Sequence, residues 1–508
     1  MSATDAIYPE HSIMRLMQDA CDVCGERPLL ITPDERYSYV DVCHWMQNLA
    51  GYFQSVLGLT PDSTIVISAM NSIHIPVVLA AAQLVGARVA LFSNTVGDEE
   101  LSRKISLVKP NLVISSDSAQ IESLKLIVPD ATPMLVSQSE MDMMSVDAVM
   151  REDAHDRDSS FVHASADAHI IVFSSGSTGA PKAIVNRGTS FALNGIAQCK
   201  WLELTSDDVL YLPVPLIHVF GIAGLYATLT AQASFATSSR YNAQQACELI
   251  QNAGVTVHLG VPTNFIRELR ENEDGAWDFG TLRAGLVGGA DCPAAVLEDF
   301  EKLYGCRIMQ SYGMSETAAT LTVTPLEYDV EERVATVGFC VKGAQIKVDS
   351  ATHEIMCKSA SMMLGVLQED DSVVLDLDDG WYRTGDVGRI DERGMLAVTG
   401  RLKDVIVRGG VNVFPSEVEA AYAHNDDVAE CCAFAIEDEE LGERIGIAVV
   451  LQEGSKVTAS GLRIYAKERI DKCKVPDVVI ELEALPCLGN GKIDRTALRG
   501  LAREMSAA

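Results

Sequence analysis

Residues 173–182 read Phe-Ser-Ser-Gly-Ser-Thr-Gly-Ala-Pro-Lys, directly after the apolar run Ile170-Ile171-Val172. Four hydroxyl side chains (Ser174, Ser175, Ser177, Thr178), two glycines (Gly176, Gly179) and Lys182 fall within nine positions. Glycines let the backbone approach a ligand closely. Exposed N–H groups, hydroxyls and one ammonium form a cradle for phosphate oxygens. A Walker-type loop is excluded, because Pro181 precedes the lysine and Ala183 follows it, where that motif needs Gly and Ser or Thr. A polar surface turn after a strand is the plainer alternative.

Four further segments carry groups suited to the same ligand. Gln310-Ser311-Tyr312-Gly313-Met314-Ser315-Glu316-Thr317 offers an aromatic ring for stacking, a glycine for close approach, hydroxyls for phosphate and a carboxylate for a phosphate-bound metal. Tyr382-Arg383-Thr384-Gly385-Asp386 ends in an acid able to accept hydrogen bonds from vicinal ribose hydroxyls. Arg401-Leu402-Lys403-Asp404 opens a basic cluster that continues to Arg408. Gly489-Asn490-Gly491-Lys492 puts a lysine on a tight loop. Each segment alone has an ordinary reading: a sheet corner, a turn acid, a solvated lysine.

These groups need a large scaffold, and the chain supplies one. It has 508 residues, 48% hydrophobic, enough for roughly three domain-sized units. A net charge of −31 opposes nucleic-acid binding as the main task. The 13 cysteines are scattered. Cys21 and Cys24 form one C-x-x-C without the second pair or histidine a zinc site needs, and read as small buried residues. No signal peptide or membrane span is expected, and a cytoplasmic setting is the default.

Apolar strand patterns at 29–31, 64–68, 88–92 and 112–115 alternate with helical patterns at 39–57 and 75–85. This predicts an α/β fold with a parallel sheet. Residues 138–168 are polar and acidic and read as a loop. Residues 346–349 and 354–358 read as a hairpin, and a small α+β domain is expected after about residue 404.

Taken in order, the five segments resemble the adenylate-forming superfamily of acyl- and aryl-CoA ligases, luciferases and peptide-synthetase adenylation domains. The resemblance runs from about residue 25 to 497. It implies a large N-terminal domain (1–400) of α/β sheet subdomains plus a β-rich subdomain, a hinge at 401–404, and a small mobile α+β C-terminal domain (405–508). It implies ATP, Mg²⁺ and coenzyme A, with a carboxylic acid attacking the α-phosphate. Lys492 would be the adenylation cation, Glu316 the Mg²⁺ ligand, and Ser174–Gly179 with Lys182 the pyrophosphate grip. Gly289, Ala290, Gln310 and Tyr312–Ser315 would line the nucleotide. Asp386 would hold the ribose, with Arg401 and Lys403 at the hinge. Gly409 and Gly410 would border the pantetheine path. His218, Phe220, Gly221, Val261 and Gly288 would face the acid. No aspartate or glutamate lies between Asp208 and Gly221, where amino-acid-activating relatives keep an aspartate, so a fatty or aromatic acid is expected. Little chain follows Lys492, so coenzyme A is the expected acceptor, with a separate carrier protein as the alternative. A degenerate, non-enzymatic ligand binder is the third possibility. His353 and Val366 stand where the family usually has glycine and often has tyrosine.

Overall fold

The structure is a computed structural model describing residues 13–93, 98–137, 144–151, 168–175, 181–290, 292–422, 425–438, 440–452, 454–487 and 493–507. The chain divides into two compact units, one of residues 1–345 with 358–380, the other of residues 346–357 with 381–508.

The first unit holds two large sheets. One has eight strands, in the order Val373–Val374, Gly365–Leu367, Pro181–Arg187, His169–Ser175, Arg88–Phe92, Thr64–Ser68, Leu112–Ser115 and Thr132–Leu135. Its last five strands are mutually parallel. Thr64–Ser68 is buried at every position, as expected for a parallel strand covered on both faces. The second sheet has nine strands, in the order Phe339–Cys340, Ala319–Val323, Arg307–Met314, Ala284–Val287, Val257–Gly260, Val209–Tyr211, Ser234–Ala236, Pro28–Ile31 and Arg36–Ser38. Its middle is parallel, and its core is built from residues such as Phe265, Leu297, Phe300 and Ile308. The predicted α/β alternation is therefore present. The helix Tyr39–Ser55 starts where Ser38 and Asp41 cap each other reciprocally.

Two local expectations are corrected. The segment 138–168 includes a helix, Val146–Arg151, which buries Val146, Val149 and Met150. Those apolar residues stand at i, i+3 and i+4, a one-turn signal masked by acidic neighbours. Cys24 is buried as expected, but Cys21 forms a disulfide with Cys43, joining helix Ile13–Cys24 to helix Tyr39–Ser55. The partner lies 22 residues away, outside the C-x-x-C spacing.

A four-stranded sheet runs in the order Ala344–Val348, Glu354–Ser359, Tyr382–Ile390 and Leu396–Arg401; all of it belongs to the second unit except residues 344–345 and 358–359. The hairpin predicted around 350–352 is its first turn. A five-stranded sheet follows, from Val411–Val413, Ile406–Arg408, Gly442–Leu451, Val428–Asp438 and Val478–Glu481. Helices Pro415–Ala420 and Ala459–Lys467 pack on one face around Tyr422, and helix Arg495–Ala507 packs on the other through Leu498 and Ala502.

Candidate active site

In the first unit, Ser174 pairs with Lys182 across the antiparallel strands His169–Ser175 and Pro181–Arg187. Ser174 is half-buried and Lys182 exposed. Residues Gly176, Ser177, Thr178 and Gly179 lie outside the described residues, as does the side chain of Ser175. What the structure does show is the anchoring of the strand that leaves this loop. Asn186, fully buried, donates from Nδ2 to the Ser315 carbonyl at 3.2 Å. The Leu364 amide donates to the Val185 carbonyl at 2.7 Å, and the Met363 amide to the Glu316 carbonyl at 2.8 Å. The strand Pro181–Arg187 and the 310–317 segment, over a hundred residues apart in sequence, are thus held together.

The 310–317 segment ends the strand Arg307–Met314 and turns through Ser315–Thr317. Thr317 is buried at the centre of this turn. Its hydroxyl lies 3.2 Å from the Met314 carbonyl and 3.1 Å from that of Ala319, and its own carbonyl accepts from Asn194 Nδ2 (3.1 Å) and Ser361 Oγ (3.0 Å). Ala318 and Ala319 both take positive φ, 52° and 105°. Two consecutive non-glycine residues in that region mark stored backbone strain, a frequent companion of functional sites. Gly313 has no room for a side chain: a Cβ there would lie 1.7 Å from the Ala319 carbonyl oxygen. Tyr312, Met314, Ser315 and Glu316 are half-buried. Gln310 is buried, with Nε2 committed to the Arg333 carbonyl at 2.7 Å.

The expected acid-facing residues converge on the same sheet edge. A Cβ on Gly288 would sit 2.6 Å from Ser311 Oγ and 3.9 Å from Phe220 Cζ. A Cβ on Gly289 would sit 3.6 Å from Val261 Cγ1. Gly288 and Gly289 follow the strand Ala284–Val287, Val261 follows Val257–Gly260, and Phe220 lies beside Gly288, all at the C-terminal ends of parallel strands, where open α/β sheets hold their ligands. Gly221 is pressed against the Pro215 carbonyl, within 2.4 Å of where a Cβ would be. His218 is exposed at the start of helix Val219–Ala231, and Ala290 is exposed.

In the second unit, Asp386 and Arg401 are direct cross-strand partners. Arg401 Nε lies 3.1 Å from Asp386 Oδ1; the carboxylate side chain is 9% exposed and the guanidinium 50%. Glu354, nearly buried, shapes the turn before Asp386. Its Oε1 accepts from the Gly385 amide at 2.9 Å, and Oε2 pairs with Arg383. Lys403 is exposed in the short 3₁₀ turn Leu402–Asp404. Gly409 and Gly410 form the two-residue turn between Ile406–Arg408 and Val411–Val413, with φ of 58° and 82°. Two consecutive positive φ values give the turn whose twist suits a tight hairpin, and they select glycine. Arg408 makes a bidentate pair with Asp477, at 3.0 and 2.9 Å, which raises its pKa. Lys492 lies outside the described residues. Beside it, Cys487 pairs antiparallel with Ile493, and Arg495 is fixed to the Ala433 carbonyl and Glu419.

Asn186, Asn194 and Ser361 are site-shaping residues that the sequence motifs do not include. Asn186 has a visible signal, an amide directly after the buried apolar run Ala183-Ile184-Val185. Glu354 also has one, since His353-Glu354-Ile355 stands where the resembled family usually has Gly-Glu-Ile.

The chain belongs to the family of AMP-binding enzymes: the family's pattern covers residues 17–367, and that of the AMP-binding enzyme C-terminal domain covers residues 417–492. Among curated relatives, a 2-succinylbenzoate–CoA ligase of Bacillus licheniformis is 26% identical over 95% of this chain and 98% of its own length. A 3-[(3aS,4S,7aS)-7a-methyl-1,5-dioxo-octahydro-1H-inden-4-yl]propanoyl:CoA ligase of Rhodococcus jostii is 32% identical over 65% of this chain. The chain spans 64% of that relative, a little under two thirds of its length. The fold is that of the o-succinylbenzoate CoA synthetase of Bacillus subtilis, solved with its acyl-adenylate intermediate: TM-score 0.82 at 23% identity, over 95% of this chain and 97% of that one.

Proposed function

We propose that the protein activates a fatty or aromatic carboxylic acid with ATP to an acyl-adenylate and transfers the acyl group to coenzyme A, releasing pyrophosphate and then AMP. The observation that carries this reading is the joining of the hydroxyl-rich strand pair to the 310–317 turn by the Asn186–Ser315 bond. A phosphate cradle and a stacking aromatic with a carboxylate then serve one nucleotide. The near full-length similarity to a CoA ligase supports the same chemistry.

In the first step a carboxylate oxygen attacks the α-phosphorus and pyrophosphate leaves. Lys182 and the hydroxyls of 174–178 hold the departing pyrophosphate, and Tyr312 stacks on the adenine. Asp386 accepts the ribose hydroxyls, kept in place by Arg401 and by the Glu354-braced turn. Lys492 supplies a fixed cation where negative charge builds on the α-phosphate, and such preorganised charge is what lowers the barrier most in sites of this kind. Among the described residues no group of three or more His, Cys, Asp or Glu is placed to hold a metal. Mg²⁺ needs only one or two protein carboxylates when phosphates complete its shell, and Glu316 fits that role. When bound, the ion neutralises phosphate charge. In the second step the coenzyme A thiol attacks the acyl carbon and AMP leaves. Residues 401–404 serve as a hinge between the steps, and the Gly409-Gly410 turn borders the pantetheine arm.

The absence of an acid from 209 to 221 and the apolar Phe220 and Val261 favour a fatty or aromatic acid. A panel of carboxylic acids with ATP and Mg²⁺, followed by AMP release with and without coenzyme A, tests the proposal. Acid-dependent pyrophosphate exchange without acyl-CoA would instead favour transfer to a carrier protein. No exchange with any acid would leave a binding protein without this activity.

A further inference from the structure

Behind the proposed acid-facing edge of the nine-stranded sheet lies a buried histidine–glutamate hydrogen bond that none of the steps above uses. His258 on the strand Val257–Gly260 and Glu268 on the helix Pro262–Glu271 are both 0% exposed, with Nε2 and Oε2 2.6 Å apart. Among the described residues, His258 Nδ1 and the nearby Tyr211 hydroxyl have no hydrogen-bond partner. Tyr211 stands edge-on to the His258 ring, with centroids 5.0 Å apart, and burial raises its pKa well above the ordinary value. A buried pair with an unsatisfied atom costs stability where two well-packed apolar residues would not. Stability therefore does not account for it.

Its place in the chain does. His258 and Glu268 stand on the two arms of one strand-to-helix corner, and between them lie Gly260 and Val261. The His258 ring fills the space behind Gly260: a Cβ there would meet Cε1 at 2.8 Å and Nδ1 at 3.2 Å. Phe265, from the same helix, packs on the ring at 4.1 Å. At the tip, the Val261 amide donates to Asn264 Oδ1 at 3.0 Å, and Val261 faces Gly289. The pair closes the corner from behind, as a strut between strand and helix.

We infer that His258 and Glu268 are positioning residues for the acid: their bond fixes the angle at which Val261 enters the pocket and so sets which acids fit. This rests on the reading of Val261 as part of the acid site. The test compares wild type with the double variant His258→Leu/Glu268→Leu, which removes the pair at similar volume, and with Glu268→Gln, which keeps a hydrogen bond to His258. Two readouts are taken: KM for the best acid against KM for ATP, and amide hydrogen exchange over residues 260–264. In the double variant the acid KM rises about tenfold and the preference among acids broadens, while the ATP KM stays within about twofold, as a small misplacement of one wall requires. Exchange at 260–264 speeds up by a similar factor, and Glu268→Gln stays near wild type in both. Glu268→Asp, which shortens one arm, gives the same shifts at smaller size and decides the matter if the double variant does not fold. Unchanged acid KM and unchanged exchange in folded variants would overturn the inference, as would equal changes in the KM for acid and for ATP. If wild type activates no acid, the functional reading fails, and the exchange data alone still decide whether the pair holds the corner.

Discussion

Replacing Asp386 by asparagine separates a structural from a functional role for this carboxylate. The substitution keeps shape and one acceptor oxygen but removes the charge opposite Arg401. Because the Arg401 guanidinium is half in water, the pair behaves largely as a surface ion pair, worth about 0–1 kcal/mol. The backbone turn is held elsewhere, by Glu354 on the Gly385 amide and by Thr384 on the Asp386 amide. The melting temperature should therefore fall by no more than about 2 °C. Hydrogen bonds from ribose hydroxyls to a carboxylate are worth about 1.5–3 kcal/mol, so KM for ATP should rise about 10- to 150-fold. KM for the acid, whose proposed site lies in the first unit, should move little. The assay is initial-rate AMP release at varied ATP with acid and coenzyme A saturating, beside a thermal melt. A melting temperature lowered by many degrees with unchanged ATP KM would refute the argument and make Asp386 a structural acid.

Three other outcomes follow from particular residues. Lys492→Ala should slow adenylate formation by about two to three powers of ten, the usual loss for one transition-state charge, yet leave thioester formation from supplied acyl-AMP near wild type; equal loss in both half-reactions, read by single-turnover assays, would argue against a hinge between them. His353 sits at φ 58°, a conformation costing a side chain about 1 kcal/mol, so His353→Gly should raise urea resistance slightly or leave it unchanged, and a clear drop would contradict the strain. Burial alone would raise the pKa of Asp208, but hydrogen bonds from Arg283, Thr256 and Thr205 outweigh it and hold it below the ordinary 3.8. A depressed aspartate contributes stability above its unfolded pKa and loses it as pH falls through the folded one. Asp208→Asn should thus cost more at pH 7 than at pH 3 in urea titrations, and an equal cost at both would rule out the charge as the cause.

Much of the scaffold is legible in the chain, because parallel strands buried on both faces read as short apolar runs such as Thr64–Ser68 and Leu112–Ser115. The local chemistry is legible for a similar reason: Tyr312–Thr317 and Tyr382–Asp386 concentrate unlike groups that ordinary loops seldom combine. What is not legible is tertiary. Nothing near Asn186 indicates that its amide reaches Ser315, 129 residues on. Nothing in Cys21-Asp22-Val23-Cys24 indicates that Cys43 is the partner, since helix packing and not spacing brings the two together. His258 and Glu268 look like an ordinary strand histidine and a helix-surface acid until the corner folds and hides both. The helix at 146–151 is too short for its period to stand out from its acidic flanks.

The second unit is made from two stretches of chain, residues 346–357 and 381–508, with residues 358–380 returning to the first. A single crossover between related genes cannot exchange it without also moving residues 358–380. A junction near residue 401 would set Asp386 from one parent against Arg401 from another, along a ladder that runs from that pair to Ile390 and Leu396. Asp386 and its cross-strand partner Arg401 would then be inherited separately, and each hybrid would test whether the two lineages kept the same register. Exchanges that move residues 346–357 together with 381–508 avoid that mismatch, and because residues 358–380 stay behind they need three junctions, near residues 345, 357 and 380, so functional chimeras should concentrate among triple crossovers.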